Sequence, residues 1–193
     1  MNSKVINDIR KKLKKRLDKE RFEHTIGVMY TAGSLAMAYN YSIDKAMLAG
    51  LLHDCAKCIS NEEKIDICDK HNIPVTPAEM ENKSLLHAKA GAVLAKEEYK
   101  IDDADILHAI KVHTTGEPDM NLLDKIVYVA DYIEPGRDKA PNLEYIRMLA
   151  YQNIDKCVAQ ILYDTLNFLE GRKGAVDPTT QITYEFYRQY KED

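Results

Sequence analysis

Apolar residues recur along this chain at the three- and four-residue spacing that is typical of amphipathic helices. The charge-poor stretch of residues 25–43 predicts a helix that is buried on most sides. No segment combines a sustained apolar-polar alternation with turn signals, so we predict no strand. The first segment places five apolar residues on one helical face, with charged residues between them: Val5, Ile6, Ile9, Leu13 and Leu17.

Residues that begin and end helices divide the rest of the chain. Ser60 with Glu63, and Thr76 with Glu79, match the capping box, in which two side chains satisfy exposed backbone N–H groups. Asp102 is expected to cap the helix that starts at residue 103. Further helices are predicted at residues 84–99, 103–114, 122–133, 142–150, 154–170 and 178–190.

The pattern therefore predicts an all-α protein, with residues 1–193 forming a single domain. Helices between residues 142 and 190 are expected to form a C-terminal packing layer. The composition of 45% hydrophobic and 30% charged residues excludes a disordered or collagen-like chain. With only 8 Gly and 6 Pro, few tight turns are expected, which favours helices.

The net charge of −4 is unevenly distributed, because residues 1–20 hold eight Lys or Arg and three Asp or Glu. A basic arm of this kind could attract nucleic acid. The amphipathic pattern favours a solvated helix face instead, so we predict no nucleic-acid partner.

The first residues, MNSKVINDIRKK, lack the apolar stretch of a signal peptide, and the charge-poor stretch is too polar for a membrane span. The four cysteines show no framework spacing and are expected to be reduced. We therefore predict a cytoplasmic protein without a membrane partner. A homodimer is compatible with the sequence.

Two acidic residues lie in apolar surroundings where a carboxylate needs a cation. In LAGLLHDCAK, His53 and Asp54 end an apolar run. In KIVYVADYIEPGR, Asp131 is the only charge between Lys125 and Glu134. A metal would satisfy both carboxylates. Each segment alone has a simpler interpretation. His53 and Asp54 can be adjacent by chance, and Asp131 can form an ordinary ion pair.

The other histidines differ in their context. Taken singly, His24, His87 and His113 are explained by a hydrogen-bonded histidine in the core, since each lies beside apolar or small residues. His71 follows a predicted helix, where the helix dipole favours it. His108 has no matching partner in the sequence.

Together, these residues follow the order H, HD, H, H, D on separate predicted helices, and imidazole with carboxylate suits iron, manganese or zinc. This order resembles that of the HD-domain metal-dependent phosphohydrolases. The phrases HAKAGA, HTTG and ADYIEPGR are similar to those of the YqeK-type branch, the symmetrical bis(5′-nucleosyl)-tetraphosphatases. The resemblance extends from His24 to Arg137.

The resemblance implies an HD-domain-like helical bundle that hydrolyses diadenosine tetraphosphate to two ADP. It implies a site for one or two iron ions within residues 24–137, with manganese or another first-row divalent metal as alternatives. Asp54 would bridge to a second metal, and without that metal His87 and His113 would face substrate phosphates. Asp54, His87 and His113 are the candidate catalytic residues. The implied ligands are His24, His53, Asp54 and Asp131 for one metal, and His87 and His113 for the other.

A polyphosphate substrate needs local cations in an acidic protein, and Lys57 and Arg137 are the candidates. The alternative for both is an exposed surface charge. Thr114 and Thr115 are secondary candidates, since helix capping explains them nearly as well. Two other functions stay open: hydrolysis of mononucleotides or cyclic nucleotides, and nucleotide binding by a metalloprotein without turnover.

Overall fold

The computed structural model describes residues 3–170 and 177–191, and within these ranges it is helical without a strand. The all-α prediction is therefore confirmed. Two short 3₁₀ helices, Lys83–Leu86 and Arg188–Lys191, accompany the α-helices. The α-helices of the described ranges are α1 Ser3–Arg16, α2 Lys19–Ala38, α3 Ile43–Leu52, α4 Asn61–Lys70, α5 Pro77–Glu81, α6 His87–Glu97, α7 Ala104–Val112, α8 Leu122–Ile133, α9 Leu143–Ala150, α10 Ile154–Glu170 and α11 Pro178–Tyr187.

The caps of the helices follow the predicted chemistry, with one exception. Both capping boxes form, at Ser60 with Glu63 and at Thr76 with Glu79. The N-cap of α7 is Asp103, whose carboxylate accepts hydrogen bonds from the backbone N–H groups of residues 105 and 106. The assignment of this cap to Asp102 is wrong by one residue, because adjacent aspartates offer the same capping group.

The charge-poor stretch of residues 25–43 does not form a single helix. Helix α2 ends at Ala38, Asn40 takes a left-handed backbone conformation with φ of 51°, and Ser42 caps α3. Asparagine tolerates this conformation better than most residues, so it can end the helix where no glycine is present. No helix in the described part of the chain is both long and apolar enough to cross a membrane.

Helix α1 shows the expected division between a buried apolar face and solvated charges. Ile9, Leu13 and Leu17 are buried, whereas the lysines between them are exposed. Val5 was expected on the apolar face but is 42% exposed. The buried face of α1, together with Leu17 just after it, covers the core with three apolar side chains.

Helix α8 lies at the centre of the packing and touches α2, α3, α7, α9 and α10. Its side chains at Leu123, Ile126, Val127 and Val129 are fully buried. Helices α9 and α10, from the C-terminal part of the chain, pack against α8, and α11 packs on α10. The helix that carries Asp131 is thereby held by neighbours from both halves of the chain.

Helices α2 and α3 pack closely where Gly50 faces α2. A Cβ at this position would lie 3.1 Å from the carbonyl oxygen of Val28 and 3.2 Å from the Cα of Met29, both backbone atoms. The ring of His53, which follows α3, lies 5.4 Å from that of His24 on α2. The absence of a side chain at Gly50 therefore sets the separation of two histidines.

We expect Gly50→Ala to destabilise the protein because backbone atoms of α2 cannot yield to the added methyl group. Gly91→Ala in α6 is the matched control, since its Cβ would make ordinary contacts of 3.4 Å or more. Both substitutions gain about 1 kcal/mol of helix propensity. The clash should make Gly50→Ala less stable than Gly91→Ala by about 1–3 kcal/mol, measured by urea unfolding. Equal stability of the two variants would contradict this packing argument.

Candidate metal centre

Six side chains from separate parts of the fold converge on one buried point. Helix α2 contributes one histidine, the residues just after α3 contribute a histidine and an aspartate, and α8 contributes the second aspartate. The first residue of α6 and the residue after α7 are the other two. These residues are His24, His53, Asp54, Asp131, His87 and His113. The structure thus brings together every residue of the predicted ligand order.

One group of atoms gathers around Oδ2 of Asp54. Nε2 of His24 lies 3.0 Å from Oδ1 of Asp131 and 4.0 Å from Oδ2 of Asp54. Nε2 of His53 lies 3.5 Å from Oδ2 of Asp54 and 3.8 Å from Oδ1 of Asp131. Ligands at about 2.1 Å from one ion lie roughly 3 to 4 Å from one another. The four residues therefore have the spacing of one metal's ligands.

A second group gathers around the other oxygen of the same carboxylate. Oδ1 of Asp54 lies 3.1 Å from Nε2 of His87 and 3.6 Å from Nε2 of His113. The two Nε2 atoms are 3.1 Å apart. Asp54 thus presents one oxygen to each group, which is the arrangement that a bridging carboxylate requires.

The four histidines all have Nδ1 beside an acceptor, so Nδ1 carries the proton and the lone pair of Nε2 faces the centre. For three of them the acceptor is the carbonyl three residues earlier, so the local helix end orients the ring. The acceptors are the carbonyls of Gly50 for His53, Ile110 for His113 and Ser84 for His87, and the carboxylate of Glu134 for His24.

Three polar atoms of this centre are buried without a hydrogen-bond partner among the described residues. They are Nε2 of His24, Nε2 of His53 and Oδ1 of Asp54. Leaving such atoms unsatisfied costs about 1–3 kcal/mol each, and more where charge is involved. All three offer lone pairs to the same centre, so a divalent cation would satisfy them together. The residues present fit a metal.

The protonation states at the centre also suit metal ligands. Burial lowers the pKa of His87 to about 4, and the neighbouring Asp54 offsets only part of this effect. Burial by itself raises the pKa of Asp54, yet that pKa lies well below its usual value. The ion pair with Arg21 at 2.8 Å favours the ionised carboxylate. A neutral imidazole and an ionised carboxylate are the forms that bind a metal.

Three basic residues surround the centre, of which two were predicted. Nζ of Lys57 lies 3.2 Å from Nε2 of His87. Nη2 of Arg137 donates to Oδ1 of Asp131 at 2.8 Å, and its Nε donates to the backbone carbonyl of that residue. The third is Arg21, whose Nη1 donates to Oδ2 of Asp54 at 2.8 Å. Sequence reasoning missed Arg21, although its three-residue spacing from His24 puts both on one side of α2.

Glu134 is a second residue beside the centre that sequence reasoning missed, although it lies inside the segment ADYIEPGR. Its side chain is 4% exposed in the folded chain, its Oε1 is 3.0 Å from Nδ1 of His24, and its Oε2 accepts from the backbone N–H of Gly136 at 2.6 Å. A Cβ at Gly27 would collide with Oε2. Glu134 therefore reaches His24 only because α2 has no side chain at Gly27.

The turn that carries Glu134 and Arg137 is held from the C-terminal part of the chain. Arg147 on α9 donates to the backbone carbonyls of Ile133, Glu134 and Arg137, at 3.0, 3.1 and 2.8 Å. Residues beyond 137, for which the sequence suggested only packing, thus support the turn beside Asp131.

The centre borders a large cleft of about 1360 Å³. His24 and Asp131 lie in its wall, together with Arg21 and Arg137. Thr114 lies outside this cleft, in the wall of a second, smaller cavity, with its hydroxyl 3.3 Å from Nε2 of His113. The hydroxyl of Thr115 instead donates to the backbone carbonyl of Gly116. A solute in the cleft can reach the first group of atoms directly.

The last two histidines lie outside the centre. His71 ends α4, as predicted. His108 was expected to lack a partner, and this is wrong: its Nε2 lies 2.9 Å from Glu117 and its Nδ1 lies 3.0 Å from Asp124. This triad has the residue types of a metal site. Because each ring nitrogen already faces its own carboxylate, the arrangement suits an ion-paired imidazole.

The sequences of known proteins were compared with this chain, and the matches agree with the geometry of the metal centre. The sequence profile of the HD domain matches residues 21–136. The symmetrical bis(5′-nucleosyl)-tetraphosphatase of Bacillus subtilis is 38% identical over 90% of this chain and 92% of that protein. The Staphylococcus aureus protein of the same name is 35% identical over 81% of this chain and 80% of its own length.

A solved structure agrees with these sequences. The crystal structure of a predicted HD superfamily hydrolase involved in NAD metabolism, from Clostridium acetobutylicum, is 38% identical and has a TM-score of 0.92. The match covers 95% of this chain and 97% of that one. From its helical fold, its converging His and Asp residues and these matches, the chain belongs to the HD-domain family, in the branch of the symmetrical bis(5′-nucleosyl)-tetraphosphatases.

Proposed function

We propose that this protein hydrolyses dinucleoside tetraphosphates symmetrically, converting diadenosine tetraphosphate to two ADP. The observation that carries the proposal is the pair of ligand groups that share Asp54. Relatives named for this reaction match nearly the whole chain. In the reaction, the oxygen of water bonds to one central phosphorus atom, and the bond to the oxygen bridging the two central phosphorus atoms breaks. One ADP receives the water oxygen and the other leaves with the bridging oxygen.

We assign His24, His53, Asp54 and Asp131 to one metal, and His87 and His113 with the shared Asp54 to a second. Iron is the proposed metal, and manganese or another first-row divalent ion would suit the same nitrogen and oxygen ligands. When bound, a divalent metal acts as a Lewis acid that lowers the pKa of water and offsets phosphate charge. With one metal only, His87 and His113 would face the phosphates and donate or accept protons there.

The chain's own cations complete the proposed phosphate site. Arg21 and Arg137 lie in the cleft wall, and Lys57 lies beside His87. Arg137 already binds Asp131 through two N–H groups, so its remaining donors are held in a fixed orientation toward the substrate. Burial lowers the pKa of Lys57, and the nearby Asp54 offsets part of this decrease. These residues would hold the tetraphosphate so that its central bond lies at the metal centre.

We further propose that residues 1–193 act as one domain in the cytoplasm. A single cluster of buried apolar side chains includes residues from Ile9 to Tyr187. All four cysteines are free, although Cys58 is exposed on the surface. Free thiols support a reducing compartment.

Incubation of the purified, metal-loaded protein with diadenosine tetraphosphate should yield ADP as the only nucleotide product. Ion-exchange chromatography identifies the products. Hydrolysis in ¹⁸O-water should place one ¹⁸O atom in half of the ADP molecules. AMP with ATP would show asymmetric cleavage and refute the proposal. If the protein hydrolyses only mononucleotides or cyclic nucleotides, the same site has a different activity from the one proposed.

Metal content should depend on Asp54 and not on His108. Asp54→Ala and the isosteric Asp54→Asn should each lose the metal and the activity, because the shared carboxylate is removed or neutralised. His108→Ala is the control, since it disrupts the other cluster of metal-binding residue types. It should lower the free energy of unfolding by about 1–3 kcal/mol, because the buried carboxylate of Asp124 loses its imidazole partner and keeps only the backbone N–H of Asn121. Loss of metal from His108→Ala, measured by elemental mass spectrometry, would show that the assigned ligands are wrong.

Glu134→Gln should weaken metal binding about 10- to 100-fold, because the amide supports the imidazole of His24 less well than the carboxylate does. Glu79→Gln is a matched control, as Glu79 is 5% exposed and pairs with Lys89 away from the centre. Competition with a metal chelator measures both affinities. If the two variants bind the metal with equal affinity, Glu134 does not contribute to the proposed metal site.

A further inference from the structure

We infer that Tyr30 and Tyr151 form a nucleobase subsite at one end of the cleft, with Tyr30 as the surface on which the base stacks. This inference rests on the proposed function, because it takes the substrate to be a nucleotide. It adds the residues that recognise the base, which neither the sequence pattern nor the metal centre identifies.

The cleft and the exposure of the rings together select these two residues among the 12 tyrosines of the chain. Tyr30, Tyr132 and Tyr151 line the cleft. Tyr30 is 56% exposed and Tyr151 is 46% exposed, whereas Tyr132 is partly buried, and burial raises its pKa to about 12. Two tyrosines thus present open rings to the cleft.

Tyr30 lies further along α2 than the metal ligand His24, and both residues line the cleft. His24, Gly27 and Tyr30 have a three-residue spacing, and neighbours at that spacing lie next to each other on a helix surface. Six residues correspond to about 9 Å along the helix axis. No described residue stacks on the ring of Tyr30 or hydrogen-bonds its hydroxyl. An aromatic ring therefore lies uncovered in the cleft, fewer than two turns of α2 beyond His24.

Tyr151, the residue that ends α9, lines the same part of the cleft. Its hydroxyl donates to Oγ of Ser34 on α2 at 2.9 Å, so a hydrogen bond fixes the ring between α9 and α2. Ser34 follows Tyr30 by four residues, which places it on the same stripe of α2. The two tyrosines therefore face one space from two elements.

The charges along the cleft also indicate which end receives the base. At the end where α2 begins, three acidic residues, Asp18, Glu20 and Glu23, outnumber the basic Lys19 and Arg21. At the other end, Gly27, Tyr30, Thr31, Ser34 and Tyr151 carry no charge. Arg137 and Lys139 line the wall formed by the turn after α8. A polyphosphate on the cations and metal ligands would thus extend its uncharged base toward the tyrosines. Stacking on an aromatic ring accepts any base, because each base has a π-face.

The test compares binding of ADP with binding of pyrophosphate, which has the same diphosphate but no nucleoside. Calorimetric titration of the metal-loaded protein gives both dissociation constants without turnover. Tyr30→Ala should weaken ADP binding about 5- to 100-fold, as expected for loss of one base stack, and leave pyrophosphate binding unchanged. Tyr30→Phe should keep the affinity for ADP, because the ring and not the hydroxyl makes the contact. Tyr151→Ala should act in the same direction as Tyr30→Ala.

Tyr145→Ala is the matched control, since Tyr145 is 45% exposed on α9 and does not line the cleft. It should change neither constant. An ADP affinity in Tyr30→Ala within twofold of the unsubstituted protein would overturn the subsite. Equal weakening of ADP and pyrophosphate would also overturn it, by showing a general effect on the cleft. This test measures binding, so its result is independent of the product test of the proposed function. If the protein binds ADP through Tyr30 but does not cleave diadenosine tetraphosphate, the proposed function is refuted and the base subsite is not.

Discussion

The buried carboxylate of Asp54 is the constraint on which the site depends. It is 2% exposed, and its two oxygens face two separate groups of imidazoles. A buried charge is stable only when it is paired or binds a metal. The fold meets this demand by bringing the end of α3, the start of α6 and the end of α7 to one point beside α8. Gly50 lets α3 come close enough to α2 for His24 to complete the first group.

The orientation of the histidines comes from two kinds of interaction. Three of them bond the carbonyl three residues earlier, so a few residues of local helix suffice to aim the ring. His24 is different, because its acceptor is Glu134, 110 residues away. That contact needs the space at Gly27 and the turn that Arg147 holds through three carbonyls. The helices after residue 137 therefore act on the centre through the backbone of this turn.

Much of the helical architecture was predictable, because caps and apolar periodicity act over short distances. Helices 122–133 and 154–170 have the predicted limits, and both capping boxes form. The errors arose where local signals are ambiguous, at the adjacent aspartates before α7 and in the charge-poor stretch that Asn40 interrupts. His108 lacked a partner in the sequence because one of its two partners, Asp124, lies on the next helix.

By itself, the sequence determined the helical class, the order of His and Asp residues and the family that this order resembles. These features depend on residue type and spacing, which can be read along the chain. Only the tertiary structure decided that Asp54 turns one oxygen to each group, that Arg21 and Glu134 join the centre, and that Tyr30 and Tyr151 face one cleft. Those facts depend on which helix faces meet, and residues as far apart as 34 and 151 become neighbours only when the folded chain brings the end of α9 to α2, where Tyr151 donates to Ser34.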